Sequence, residues 1–434
     1  MASMTADERI TLASVRVTRT TGQPTAFVER FTITDPGAYE DIALSATAHR
    51  SPKGQPLTRT EVRFNGRLVW SGLDIANAGT LAVPQALSGS NTISVELWGA
   101  PGSAVTVTLS AKRKGLAWRV LAEENSGPQS NSNAAHNSSI YLPSEDAILV
   151  VEQTGDYQDG RLWRFSLATK DWRQLSATNW PRGKFRDYVL DPVRNELVVS
   201  WDGIGEIWAI PVNGGAWYLR HAASNWDSHY IGSFFFDRGR NRLSHLFGYG
   251  FGTYRSDFHA FHDGAWQAFT TSGDGVWPRI SVCSLGAQNA DGTSIFFSGG
   301  GGDANPAQQD PEPQYDDLLR FDLTTLRFTY LAPRRHRAGI DRICSAVAVA
   351  GTRLYRSGGV IYRTDDERSP DADPTNELQQ FDGSEWRTLP TTNSPPSSWY
   401  RALMFYDPRR GDLVQVGGWN GARWVFAVHA IRID

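Results

Sequence analysis

Cysteine and methionine are scarce in this 434-residue chain, with 2 and 3 copies. Two cysteines, Cys283 and Cys344, exclude a disulfide scaffold. They read as buried thiols in a reducing, cytoplasmic setting, with a secreted protein that has shed its leader as the alternative. No apolar run approaches the ~18 residues of a membrane span, and Met1 to Ile10 lacks the pattern of a secretion signal. Charge of one sign is missing as well. A net charge of -3 gives no drive toward nucleic acid or an anionic membrane. Catalytic signatures are absent: there is no His-Glu-x-x-His, Cys-x-x-Cys, glycine-rich phosphate loop or Gly-x-Ser-x-Gly elbow. Neither a cofactor nor a transition metal is therefore expected. No stretch reads as a capped amphipathic helix.

Glycine and tryptophan are plentiful instead, 41 and 16 residues. Apolar residues alternate with polar ones in runs of roughly 5–8, the pattern of half-buried strands. The class is all-β. Length alone favours two domains.

Residues 8–112 contain seven candidate strands linked by turn chemistry: Asp35-Pro-Gly, Ser51-Pro-Lys-Gly, Asn65-Gly and Gly99-Ala-Pro-Gly. Asn65-Gly between Val62-Arg-Phe and Arg67-Leu-Val is a two-residue hairpin signal. That strand density suits an immunoglobulin-like β-sandwich. Together with Asn91-Thr-Ile-Ser-Val-Glu-Leu-Trp-Gly, these turns resemble an accessory sandwich module of bacterial multidomain proteins, which implies a structural or docking role.

From residue 116 the chain repeats. Leu162-Trp-Arg-Phe-Ser, Phe258-His-Ala-Phe-His, Leu319-Arg-Phe-Asp and Leu378-Gln-Gln-Phe-Asp align, each followed by an aromatic: Trp172, Trp266, Phe328 or Trp386. Upstream strands end in glycine, most fully at Ser298-Gly-Gly, Ser357-Gly-Gly and Val416-Gly-Gly. Doublet, alternating strand and spaced aromatic together resemble the kelch family over residues 116–434, and the resemblance implies a β-propeller. Six glycine-ended strands imply six blades. The last unit lacks its fourth strand, and Leu116-Ala-Trp-Arg-Val-Leu121 resembles the missing piece. Residues 116–121 are therefore expected to complete the last blade and close the ring.

At the propeller mouth the alignment places Arg279, Arg342 and Arg401 at one position in three successive blades, with Arg186 one place out of register. A guanidinium is a fixed fork of donors suited to carboxylate or phosphate. Trp180, Trp226, Trp277 and Trp399 share those loops, and His229 and Tyr400 are the acid–base candidates there. The opposing reading makes the arginines braces between loops. His259 and His262, three apart on a strand, face opposite sides and make a poor metal pair. Asp371 and Asp373 lack the spacing of a calcium loop. Two functions follow as expectations. One is binding of an anionic small molecule, acidic sugar (glycan) or peptide at the mouth. The other is a metal-independent enzyme, a sugar-acid isomerase, lyase or cyclase, using the same arginines.

Overall fold

Alternation along Ser90–Gly99 shows how this chain makes sheet: Asn91, Ile93, Val95 and Leu97 are buried while their neighbours are partly exposed. At Asn65-Gly66 both residues adopt positive φ, +47° and +81°, the backbone of a tight turn whose twist matches the flanking strands. Leu57–Phe64 and Arg67–Gly72 pair across it. The computed structural model describes residues 9–21, 25–33, 39–49, 57–72, 80–83, 87, 89–113, 116–128, 137–153, 159–181, 185–201, 206–222, 233–250, 253–274, 286–301, 314–335, 337–340, 342–364, 372–398 and 402–433. Among them there is no α-helix; a single 3-10 turn spans Pro143–Glu145. No helix among the described residues is long and apolar enough to cross a membrane.

The chain divides into two compact units, Met1–Gly115 and Leu116–Asp434. The first holds two antiparallel four-stranded sheets. One runs in the order Arg9–Thr18, Ala104–Arg113, Tyr39–His49, Thr80–Ala82; the other runs Thr25–Thr32, Ser90–Gly99, Leu57–Phe64, Arg67–Gly72. Val17, Leu44, Val105 and Val107 of the one cluster with Phe64, Ile93 and Val95 of the other.

The second unit repeats one plan. The first sheet is Asn137–Leu142, Ala147–Gln153, Gly160–Ser166, Trp172–Leu175, and the second is Phe185–Asp191, Glu196–Trp201, Ile207–Pro211, Tyr218–His221. The third is Ser233–Asp237, Arg242–Gly250, Thr253–His262, Ala265–Phe269. The fourth runs Ala287–Gln288, Ser294–Gly301, Gln314–Asp322, Arg327–Arg335, with Ser272–Gly273 on its outer edge. The fifth is Ala346–Ala350, Arg353–Ser357, Leu378–Phe381, Trp386–Leu389. In the sixth, Leu403–Asp407, Asp412–Trp419 and Trp424–Arg432 are joined by Leu116–Ala122, which pairs antiparallel with Trp424–Arg432.

Each sheet shares a buried core with the next. Leu149 and Leu162 of the first meet Leu197 and Ile210 of the second. Val198 and Ala209 meet Phe234 and Leu243 of the third. Leu246 and Phe258 meet Ile295 and Phe321 of the fourth. Leu318 and Ala332 meet Leu354 of the fifth, and Ala348 and Tyr355 meet Met404 and Leu413 of the sixth. Val150 and Phe165 of the first sheet also cluster with Val414 and Val428 of the sixth.

A recurrent turn joins first and second strands. Asp191, Asp237 and Asp407 are fully buried. In each, Oδ1 accepts backbone N–H bonds of the turn, from Arg194, Arg240 and Arg409. Oδ2 accepts from the arginine three residues on, Arg194, Arg240 or Arg410. Because the strands are antiparallel, these turns and the third-to-fourth turns share one end of each sheet. The second-to-third connections and the links between sheets share the other. That second end carries the glycine doublets.

Candidate functional site

The doublet of the fifth sheet shows why glycine ends these strands. Gly358 and Gly359 have φ of +72° and +88°, a region costly for other residues. A Cβ on Gly358 would lie 2.5 Å from Ser398 Oγ. With none there, three segments converge on the doublet. Gly359 N–H donates to Ser398 O at 2.8 Å, Thr375 N–H to Gly359 O at 2.9 Å, and Ser345 Oγ to Gly358 O at 3.0 Å.

Beside this junction Arg356 is wholly buried. It donates twice to Asp316 of the fourth sheet, at 2.7 and 2.9 Å, and its Nε donates to Gln379 Oε1 at 2.8 Å. Its guanidinium carbon lies 4.5 Å from the Trp386 ring centroid. A parallel two-bond pairing is the strong form of Arg–carboxylate contact. Arg356 thus stitches the fourth sheet to the fifth.

Arg342 completes the cluster. Its side chain is 1% exposed, and its backbone N–H donates to Asp316 Oδ2 at 3.1 Å. Nη2 donates to Glu377, which is 44% exposed. Nε and Nη1 are buried and find no acceptor within the protein. Burial, and then the charge of Arg356, push the Arg342 guanidinium down to about 10. It remains a cation at neutral pH, with two donors unused. Arg342–Ile343 pairs with Val360–Tyr362, so the guanidinium starts from the same end as the doublet.

A second feature lies in the wedge between the fifth and sixth sheets. Gln415 and His429 stand opposite each other in the ladder and line a cleft with Pro395, Ser398 and Gly417. Gln415 Oε1 and Ser398 Oγ are buried without a hydrogen-bond partner in the protein. Burial holds the His429 imidazole below its ordinary 6.5, with Glu123 opposing.

Of the residues singled out in the sequence, Arg342 is placed as described, one arm bonded to Glu377. Trp180 packs between the first and second sheets, its ring 5.5 Å from that of Trp217. Arg186 lies on Phe185–Asp191. Arg279, Arg401, Trp226, Trp277, Trp399, His229 and Tyr400 lie outside the described residues. His259 is buried and His262 half-exposed, paired to Asp263 at 3.0 Å. Asp373 is paired with Arg363, and Asp371 is outside the described residues. No cluster fit to hold a metal occurs among the described residues.

One expectation is corrected. Cys344 is disulfide-bonded, not a buried thiol; two cysteines can form one bridge even where they cannot form a scaffold. The cytoplasmic expectation thereby loses the support it took from cysteine usage. Sequence reasoning also missed Arg356, Asp316, Gln415 and His429. Arg356 and Gln415 carried a signal: each stands two residues before a glycine doublet, where the strand end faces its neighbours.

No protein-family model matches this chain, and no curated protein matches it. Among solved structures it is similar to YjhT, a kelch-like propeller-type protein, with a TM-score of 0.52 and 12% identity. The match covers 72% of this chain and 98% of YjhT. At that identity the likeness concerns the fold alone.

Proposed function

We propose that residues 116–434 form a six-bladed kelch-type propeller, preceded by a β-sandwich over residues 8–112. Its mouth binds an anionic small molecule, acidic sugar or peptide. Six sheets, each sharing its core with the next and the last with the first, support the ring. Pairing of Leu116–Ala122 with the C-terminal strand supports its closure. Two sheets packed over one core support the sandwich.

The observation that carries the binding reading is Arg342. A buried guanidinium with two unused donors, beside a second buried arginine, is costly unless something supplies acceptors. A carboxylate would do so with two oxygens and would offset the crowding of Arg342 and Arg356. The disulfide at Cys344 favours the secreted alternative over the cytoplasmic one. The enzyme reading has one observation of its own, the neutral His429 at the same end of the neighbouring sheet.

The test is calorimetric titration with glucuronate and with a short acidic peptide. Arg342→Ala should weaken binding by about 1.5–3 kcal/mol, the range for hydrogen bonds to charged groups. Arg342→Lys should also bind poorly, because an ammonium cannot reproduce the fork. An alanine variant that loses thermal stability while affinity stays intact makes Arg342 a brace and ends this reading.

A further inference from the structure

The wedge holding Gln415, His429 and Ser398 adjoins the doublet junction through Ser398, but its chemistry differs from that of the Arg342 cluster. Three polar side chains there are more than nine-tenths buried: Gln415 at 2%, Ser398 at 4% and His429 at 7% exposure. Leu413, Met404 and Ile431 pack toward the fifth sheet, and alternation puts Gln415 and His429 on that same face, one step nearer the doublet end. Gly417 lines the cleft, and only glycine suits the position: a Cβ there would lie 1.7 Å from the Val425 carbonyl oxygen. The ladder shifts register between Val416 and Gly418.

The cleft is about 270 Å³ with its opening, and the room in it for the centre of a water-sized group is only about 10 Å³. One oxygen-sized group fits such a volume. The unpartnered atoms define which group. Gln415 Oε1 accepts only; Ser398 Oγ donates or accepts. Carboxylate would set its charge against the Gln415 oxygen and needs room for two oxygens. A hydroxyl donates one proton and accepts others, which matches the set.

We infer that the wedge between the fifth and sixth sheets is a hydroxyl-binding subsite. Gln415 Oε1 accepts a hydrogen bond from the hydroxyl, and Ser398 Oγ donates one to the hydroxyl oxygen. His429 forms the adjacent wall and reports on occupancy. The ligand class is a neutral alcohol or the hydroxyl arm of a larger polyol. Nothing in this assignment depends on Arg342.

The experiment is a titration of the full chain with ethylene glycol, following the His429 ring signals by nuclear magnetic resonance, with acetate as control. Ethylene glycol should shift these signals saturably, and acetate should not. Gln415→Leu should weaken the response by at least about tenfold, the scale of losing one hydrogen-bond partner in a buried site. Ser398→Ala is the second variant if Gln415→Leu does not fold, with a loss in the same direction. A shift that does not saturate, an equal response to acetate, or an undiminished response in both variants means the space holds water alone and overturns the assignment.

Discussion

Arg410 and Asp146, 264 residues apart in the chain, are joined by two parallel hydrogen bonds of 2.6 Å each. Arg410 also donates to the fully buried Asp407 at 2.6 Å, so one guanidinium holds the first sheet to the sixth. Its neighbour Arg409 adds a bond to Pro143 O at 2.8 Å. Arg410→Ala should cost about 1.5–3 kcal/mol, since it leaves a buried carboxylate short of its partner. The hydrogen bonds from Arg410 hold Asp146 below its ordinary 3.8. That stabilisation is present above pH 3.8 and is lost as pH falls through the lowered value. Thermal melts at pH 7 and pH 3 check both statements: the gap between wild type and Arg410→Ala should narrow in acid.

Trp118 is almost wholly buried among Ala348, Met404, Leu413 and Ile431. Trp118→Ala should cost about 3–5 kcal/mol, the range for emptying an aromatic site in a core. Deleting 116–122 should go further, because the strand Trp424–Arg432 then exposes an unpaired edge. Light scattering should show aggregation of that deletion, while a chain starting at residue 116 stays monodisperse. Equal behaviour of the two would count against the closure.

Gly417→Ala should destabilise the sixth sheet by about 1–3 kcal/mol, the usual cost of overpacking. Gly89→Ala is the control, for nothing lies within 4 Å of a Cβ there. Denaturant midpoints of the two variants give the comparison directly.

His429 sets an acid limit of its own. Its folded value lies below 6.5 because burial disfavours the imidazolium. The unfolded chain therefore takes up a proton first, and stability declines from about pH 6.5 downward until the folded state is also protonated. His429→Gln should flatten the stability profile between pH 7 and pH 5. A profile unchanged by the substitution would show that His429 does not govern it.

Strands and turns were legible because their causes are local. Alternation marked the strand around Thr92–Trp98, and Asn65-Gly66 marked the turn from Leu57–Phe64 to Arg67–Gly72 with a residue pair suited to two consecutive positive φ angles. The pairing of Leu116–Ala122 with the last strand was legible for a different reason: the repeat lacked one strand at one end and had one to spare at the other. Partners across sheets were not legible. Asp316 and Arg356 stand 40 positions apart, and nothing in either neighbourhood names the other. The turn aspartates share a spacing in the sequence, Asp191-Pro-Val-Arg194 and Asp407-Pro-Arg-Arg410. Their burial, which makes the arginine three residues on an obligatory partner, was not legible. The Cys344 disulfide was misjudged because a count of two says little about distance in space.

Pairing of Leu116–Ala122 with Trp424–Arg432 also sets a timetable for biosynthesis. The ribosome releases the first of these strands well before the second. Throughout translation of the intervening sheets, Trp118 has neither its ladder partner nor the Leu413 and Ile431 side chains that cover it. A chaperone that holds exposed aromatic strands has its longest opportunity on this segment. Any message truncated before residue 424 yields a polypeptide with that strand permanently orphaned, a natural mark for quality-control proteolysis.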